Sequence, residues 1–303
     1  MNQVILKSNS LKTSQKTYAL GSLIIPVLGI LFSIPIALLS GISSINVGIL
    51  ILMTGLIQVG VEVGFHRLFA HRAFQTHNIV KVTLAILGCM AGQGPVTYWV
   101  AYHRAHHQYS DRSLDPHSPH LHGNGIRNRI RGLWHAHIGW LFALKLPKTT
   151  KYAKDLLKDP VISKVNKHHI WWMFIGLVIP AVLGGVLTST WTGALSGLYW
   201  GGIVRLFFSQ HSGYIQASMC HTYGGRPFET GDQSTNVSWL VFLTFGGSLH
   251  NNHHAFSNSA KFGLQWWQVD PGYWVIRALE VVGLAWDVKV PTARTIKAKK
   301  ILR

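Results

Sequence analysis

The sequence predicts an all-α integral membrane protein: four transmembrane helices carrying a cytosolic helical cap. Three observations predict it. Hydrophobic residues make up 48% of the 303 positions and charged residues only 13%, about half the share usual in a soluble domain. Apolar runs of about twenty residues, long enough to cross a bilayer, recur along the chain. The formal charge of +18 gathers between and beyond those runs. Basic residues spread in this way describe a membrane protein with a basic cytoplasmic face, so no nucleic acid partner is expected.

Residues 1–17 form a basic arm with Lys7, Lys12 and Lys16, and they lack the small-residue cleavage site of a secretory leader. The first apolar run is therefore expected to be a retained span, over residues 18–40. The second, 44–65, leads straight into His66. A third apolar stretch, 80–100, is broken by Gly92, Gly94 and Pro95 and reads as a short or re-entrant segment. Two more spans are expected at 170–191 and 193–215. The last contains Arg205 and His211, which a membrane accepts only beside a cavity or a partner group.

The turns at 41–44 and 190–193 carry no charge, whereas residues 66–169 hold fifteen Lys or Arg against four acidic residues. The positive-inside rule then puts the middle region and both termini in the cytoplasm. One domain, 18–290, is expected, with its cap built from 66–169 and 216–290; a basic tail, 291–303, follows. Cys89 and Cys220 form no CxxC pair, which excludes a disulfide framework, a cysteine-built zinc site and an iron–sulfur cluster.

Eighteen residues are histidine, and their placement is more telling than their number. His66 and His71 bracket HRLFAH at the end of the second span. His103, His106 and His107 form HRAHH, and His250, His253 and His254 form HNNHH. Positions i, i+3 and i+4 share a helix face, so each triplet offers several imidazoles to one place. Two such triplets are what a bimetallic centre asks of helices, and imidazole suits iron, copper, zinc or nickel. His66 and His71, five apart, share no face of a regular helix unless it unwinds. For His77, His120, His122, His135, His168 and His169, which lack such spacing partners, ordinary hydrogen-bonded or solvated roles are expected. The Glu-x-x-His pairs of carboxylate-bridged di-iron bundles and the HExxH of zinc proteases are absent. Ligands that are nearly all neutral imidazole leave a metal pair highly positive, which suits activation of dioxygen. Glu62, one helical turn before His66, is positioned to accept that ring's second N–H; Asp111 and Asp115 are candidates for the same task after the second triplet.

Taken together, GFHRLFAHRAF, YHRAHHQYSDRSLDPHSP, AHIGW, LHNNHHAFSNSA and WWQVDPGYW resemble the membrane fatty acid desaturases, in the acyl-CoA desaturase-like branch, over roughly residues 45–290. The resemblance implies a four-helix stem, a cytosolic cap and a non-haem di-iron centre (two Fe ions) at their junction. It implies as ligands His66, His71, His103, His106, His107, His250, His253 and His254, with His221 of ASMCH as a ninth. Ala217 stands where that branch has an asparagine, with Gln216 beside it; this departure leaves open desaturation or a related hydroxylation or oxidative decarboxylation. The implied substrate is a fatty acyl chain on coenzyme A, acyl carrier protein or a lipid, with Trp99, Trp140 and Trp239 as candidates for its tunnel. Arg127, Arg129 and Arg131 fit an anionic carrier or lipid headgroups equally well. No nicotinamide, haem or cluster motif is present, so electrons must come from a ferredoxin or a small haem cytochrome with its reductase. The expected location is a membrane crossed several times, a bacterial inner membrane rather than the endoplasmic reticulum. A histidine-rich metal transporter is the reading from another class, but transporters bind near the bilayer midplane and these clusters flank the spans.

Overall fold

The computed structural model describes residues 9–143 and 146–301, with side chains from residue 13 onward. Lys7 and the end of the basic tail lie outside the described residues. Helix α1 (Asn9–Ser40) is continuous through Pro26 and Pro35. Helix α2 (Ser44–Gln58) is opened by the Ser43 hydroxyl, which accepts the Asn46 N–H, and it runs on into a π-helix at Val59–Ala70. A strand, β1 (Gln75–Thr76), then precedes α3 (Asn78–Cys89) and α4 (Val96–Tyr109). Next come α5 (Ile126–Trp134), a π turn at His135–Gly139 and α6 (Trp140–Ala143). Short helices α7 (Thr149–Tyr152), α8 (Lys154–Leu157) and α9 (Pro160–Lys167) lead to the long α10 (His169–Thr188). Then α11 (Trp191–Gly197), a π segment at Leu198–Val204 and α12 (Arg205–Ser218) follow one another without a break. The C-terminal part holds α13 (His250–Ala255), α14 (Pro271–Val281), β2 (Ala285–Trp286) antiparallel to β1, and α15 (Ala293–Lys299).

Among the described residues, three helical stretches are long and apolar enough to cross a membrane: Thr13–Ser40, Ser44–Ala70 and His169–Thr188. Their large side chains point outward, among them Ile24, Leu31, Ile51, Phe174 and Val182, as expected of helices whose solvent is lipid. The interrupted stretch at 80–100 is no span. Twelve residues of α3 reach only about 18 Å, and the chain then turns back through Gly92 and Gly94, both at positive φ. Helices α10 and α11 form a hairpin of very close approach. A Cβ on Gly184 would sit 2.2 Å from the Gly193 carbonyl oxygen, and one on Gly197 would sit 2.2 Å from that of Pro180. Small residues at such a crossing are what lets helix backbones pack inside a membrane.

Arg205, expected to need a partner, is fully buried and finds three carbonyls. Its guanidinium donates to Gly201 at 3.2 Å, to Met90 at 2.7 Å and to Gly176 at 2.9 Å. The last is explained by Pro180. Having no N–H, Pro180 cannot serve the carbonyl four residues before it, so Gly176 would be left without a donor inside α10. Arg205 thus pins three elements by answering backbone groups that helix geometry leaves open.

One core packs around Phe65, Phe69, Phe74, Val100, Ile162 and Ile276, which join the π-helix to α4, α9 and α14. Buried Arg67 ties that core to the C-terminal part: it donates to Asp270 at 2.8 Å and lies 3.8 Å over the Phe262 ring. Asp270 in turn accepts N–H groups from Phe262, Gly263 and Tyr273, capping α14. Arg205→Met should strand the Met90 and Gly176 carbonyls at about 1–3 kcal/mol each and lower the thermal midpoint in detergent by roughly 5–20 °C. Adding Pro180→Ala, which restores an N–H to α10, should recover part of that loss. No recovery in the double variant would show that the Gly176 contact is incidental.

Candidate metal centre

Nine of the histidines converge on two adjacent groups. His66, His71, His103, His107 and His253 have ring nitrogens within 4.8 Å of one another, as do His106, His221, His250 and His254. The two groups abut, with the His107 and His254 rings 4.4 Å apart. The helical triplets are shared in opposite senses. From α4 the i, i+4 pair His103 and His107 goes to the first group and His106 to the second. From α13 the pair His250 and His254 goes to the second and His253 to the first. His66 and His71 meet because the chain there is π-helical. The His71 N–H bonds to the His66 carbonyl five residues back, and the two rings lie 5.1 Å apart.

Hydrogen bonds on the far side of the rings decide what the near side offers. His221 donates from Nδ1 to Asp111 at 2.9 Å, His254 to Asp232 at 2.7 Å and His106 to Asp115 at 3.0 Å. His250 donates to the Gly247 carbonyl at 3.2 Å and His66 to Glu62 at 2.9 Å. A neutral ring protonated at Nδ1 has a lone pair at Nε2. Yet the Nε2 of His250 lies 3.1 Å from that of His221 and 3.1 Å from that of His254. In the first group, His66 and His253 approach to 3.0 Å and His71 and His103 to 2.7 Å, again Nε2 to Nε2. The buried Nε2 of His106 has no partner at all. Where the tautomers are fixed, as at His221, His250 and His254, acceptors facing each other at this spacing repel. A cation among them makes the same spacing favourable, since metal–imidazole bonds of about 2.0–2.1 Å place neighbouring ligand atoms near 3 Å. The residues therefore fit metal ions, and the donor set favours a metal that takes nitrogen.

Charge in the cap is arranged to match. Burial, reinforced by neighbouring rings, holds His71, His103, His107, His250 and His253 well below the ordinary imidazole range. His254 lies at about 4, burial outweighing the opposing pull of Asp232. Burial would raise Asp111, Asp115 and Asp232, but their hydrogen bonds and the fields of His221, His106 and His254 bring each below the usual carboxylate range. His106 runs against the other rings: burial lowers it, and Asp115 more than makes this up.

Glu62 accepts from Gln216 at 2.7 Å on the oxygen that His66 leaves free. Gln216 is thereby turned toward Glu62, while Ala217 faces a cavity of about 110 Å³. His66 and His103 of one group and His106 and His250 of the other border that cavity, with Trp99 and Trp140 in its wall. Trp239, also a tunnel candidate, is instead 75% exposed and lies away from it. Helix α1 closes the cavity through Gln15, whose amide donates to Tyr98, Tyr102 and the Leu141 carbonyl. Sequence reasoning missed two residues here. His117 stacks on His106 at 4.5 Å, borders the cavity and is pushed by burial to about 3. Asp232 orients His254. The available signal was scarcity: of ten acidic residues in the chain, Glu62, Asp111, Asp115 and Asp232 all hold these rings. His120 donates to the His221 carbonyl, and His168 and His169 bond to nearby carbonyls, outside the two groups.

Below about pH 6.5 the unfolded chain takes up protons that the buried rings refuse, so stability of metal-free protein must fall as pH falls. Two unmatched protons between pH 6.5 and 5.5 amount to about 2–3 kcal/mol, or roughly 5–10 °C in thermal midpoint. Metal-loaded protein should show a higher midpoint throughout. A midpoint of the metal-free form that does not change with pH would mean that these rings accept protons freely.

Comparison with known proteins agrees with this geometry. The sequence model of the fatty acid desaturase family matches residues 43–286. A hex-5-enoyl-[acyl-carrier protein] acetylenase of Moorena producens is 50% identical over 280 residues, covering 92% of this chain and 87% of that protein. An acyl-CoA C20 Δ5-desaturase of Anemone leveillei is 37% identical over 77% of this chain and 70% of its own length. An sn-1 stearoyl-lipid 9-desaturase of Anabaena variabilis is 36% identical, covering 77% of this chain and 79% of its own. The chain is an oxidoreductase that belongs to the fatty acid desaturase family.

Proposed function

We propose that this protein is a membrane-bound desaturase that removes two hydrogens from adjacent carbons of an acyl chain at a di-iron centre. The observation that carries the reading is the pair of imidazole groups bordering one cavity. The nine converging histidines are the metal ligands, five on one side and four on the other. Glu62, Asp111, Asp115 and Asp232 fix the tautomers of His66, His221, His106 and His254. Bound iron supplies the dioxygen chemistry that unactivated C–H bonds require. The chain's own part is to hold the reacting carbons against the rings and keep bulk water out. Trp99, Trp140 and α1 do this by enclosing the cavity.

The balance is one saturated two-carbon unit, one dioxygen, two electrons and two protons giving one double bond and two waters. A ferredoxin or small haem cytochrome provides the electrons at the basic cytoplasmic face. The fourth span is the continuous helical run from Trp191 to Ser218, whose polar Arg205 is buried against carbonyls. With four spans, both termini and the cap lie in the cytoplasm, and residues 18–290 form one domain.

The relatives act on acyl carrier protein, coenzyme A and lipid substrates by name. The 50% identity to an acetylenase supports an acyl carrier protein thioester and a second reading, in which an existing double bond is dehydrogenated to a triple bond. Ala217 in the cavity wall is the feature that keeps hydroxylation as an outcome to be measured. The test is iron-loaded protein with a ferredoxin system and saturated or unsaturated acyl thioesters, with products read by mass. Loss of two hydrogens is expected; gain of an oxygen marks hydroxylation, and no product from any chain overturns the reading. Asp232→Asn and Asp111→Asn should each weaken metal retention by about 10–100-fold.

A further inference from the structure

The catalytic cavity is small. At about 110 Å³ it falls short of the roughly 300–1,000 Å³ of pockets that engulf a sizeable ligand. A second space of about 540 Å³ lies between α1, α10 and α12, at the depth of the apolar spans. Tyr18 and Ser22 line both spaces. Gly92 forms the rest of the partition. It borders the small cavity, and a Cβ built on it would sit 3.2–3.7 Å from Gln210, Leu206 and Met173, which line the larger space. The outer rim, at Ile25 and Phe174, is about half exposed toward the bilayer.

Helix α1 turns an unusual face to this groove. Elsewhere it is rich in Leu and Ile, but Ser14, Thr17, Gly21 and Ser22 face the groove, at helical spacing and with little bulk. From Ser14 to Pro26 the groove runs about 18 Å along the helix. Tyr18 is held in the partition by the Gly94 N–H, which its hydroxyl accepts at 3.1 Å.

We propose that this groove is the binding site for the distal part of a long acyl chain, which leaves the catalytic cavity past Tyr18 and Gly92 and lies against the bilayer. The proposal rests on the desaturase reading. It makes the site open sideways to lipid, so that chain length is limited by the α1 face and not by the small cavity. The occupant follows from continuity: a chain with its reacting carbons at the imidazoles meets, past the shared Tyr18 and Ser22, an apolar space in which to put its tail.

Gly21 gives a clean test, because nothing lies within 4 Å of where its Cβ would be. Gly21→Phe therefore adds bulk to the groove lining at a position where the backbone has room for a Cβ. Gly48, equally open on α2 and outside the groove, gives the control Gly48→Phe. In lipid nanodiscs, Gly21→Phe should lower the ratio of stearoyl to hexanoyl conversion by about tenfold or more, and Gly48→Phe should leave it unchanged. A stearoyl thioester carrying a terminal diazirine should cross-link to α1 and α10 near Gly21 and Met173 in wild type, and not in Gly21→Phe. Cross-links elsewhere, an unchanged ratio or a wild type that converts only the short chain would overturn the groove. A wild type inert toward every chain would overturn the desaturase reading instead, and the cross-links would still decide the groove.

Discussion

Imidazole lone pairs turned inward against one another are the constraint on which this architecture depends. Acceptors at 3.1 Å repel, and the fold holds His221, His250 and His254 there by occupying the opposite nitrogen of each of these rings. Each donor–acceptor choice at Nδ1 thus works at a distance, fixing where a lone pair points on the far side of the ring. The carboxylates that make those choices are themselves buried and need their partners to remain ionised. The cluster is consequently a single electrostatic unit: rings, acids and any bound cation stabilise one another, and none is indifferent to the loss of another.

That unit also explains how a candidate span is joined to the C-terminal elements. Glu62 sits in a candidate span, yet it reaches His66, Arg67 and Gln216, and through Arg67 it connects to Asp270 and α14. The same helix therefore carries lipid-facing apolar residues at one end and the first two ring-bearing positions at the other. Its change from α to π winding lies between the two. An α-helix would turn His71 away from His66, so the wider coil is what admits both to one group.

Much of this was legible in the sequence, and the exceptions have physical causes. The triplets at 103–107 and 250–254 showed themselves through helical spacing, because i, i+3 and i+4 neighbours need no tertiary information. How each triplet divides between two groups did not show, since that depends on the crossing of two distant helices. The five-residue spacing of His66 and His71 announced a distorted helix but not its form. Asp232 and His117 were missed because each contact bridges loop residues to a ring, and loops have no period to read. Trp239 was offered for the tunnel by composition alone, and it lies outside the cavity. The four-span expectation rested on apolar length. Three stretches meet that measure, while the run through Arg205 is held by hydrogen bonds that hydropathy does not weigh.

Helix α1 shows why a family built around histidine-bearing segments needs a first span that carries no histidine. It faces outward as fully as α10 does, with few buried positions and two internal prolines. Stability alone would ask little of it. What it contributes is closure, through Gln15 bridging three groups across the cavity and Tyr18 fixed to the backbone at Gly94. A wall that is loosely packed on its outer side and firmly tied on its inner side can seal a reactive centre from water while facing lipid. The polar ties lie toward the N-terminal end of the helix, on the cavity side, and its outer face is left to apolar residues.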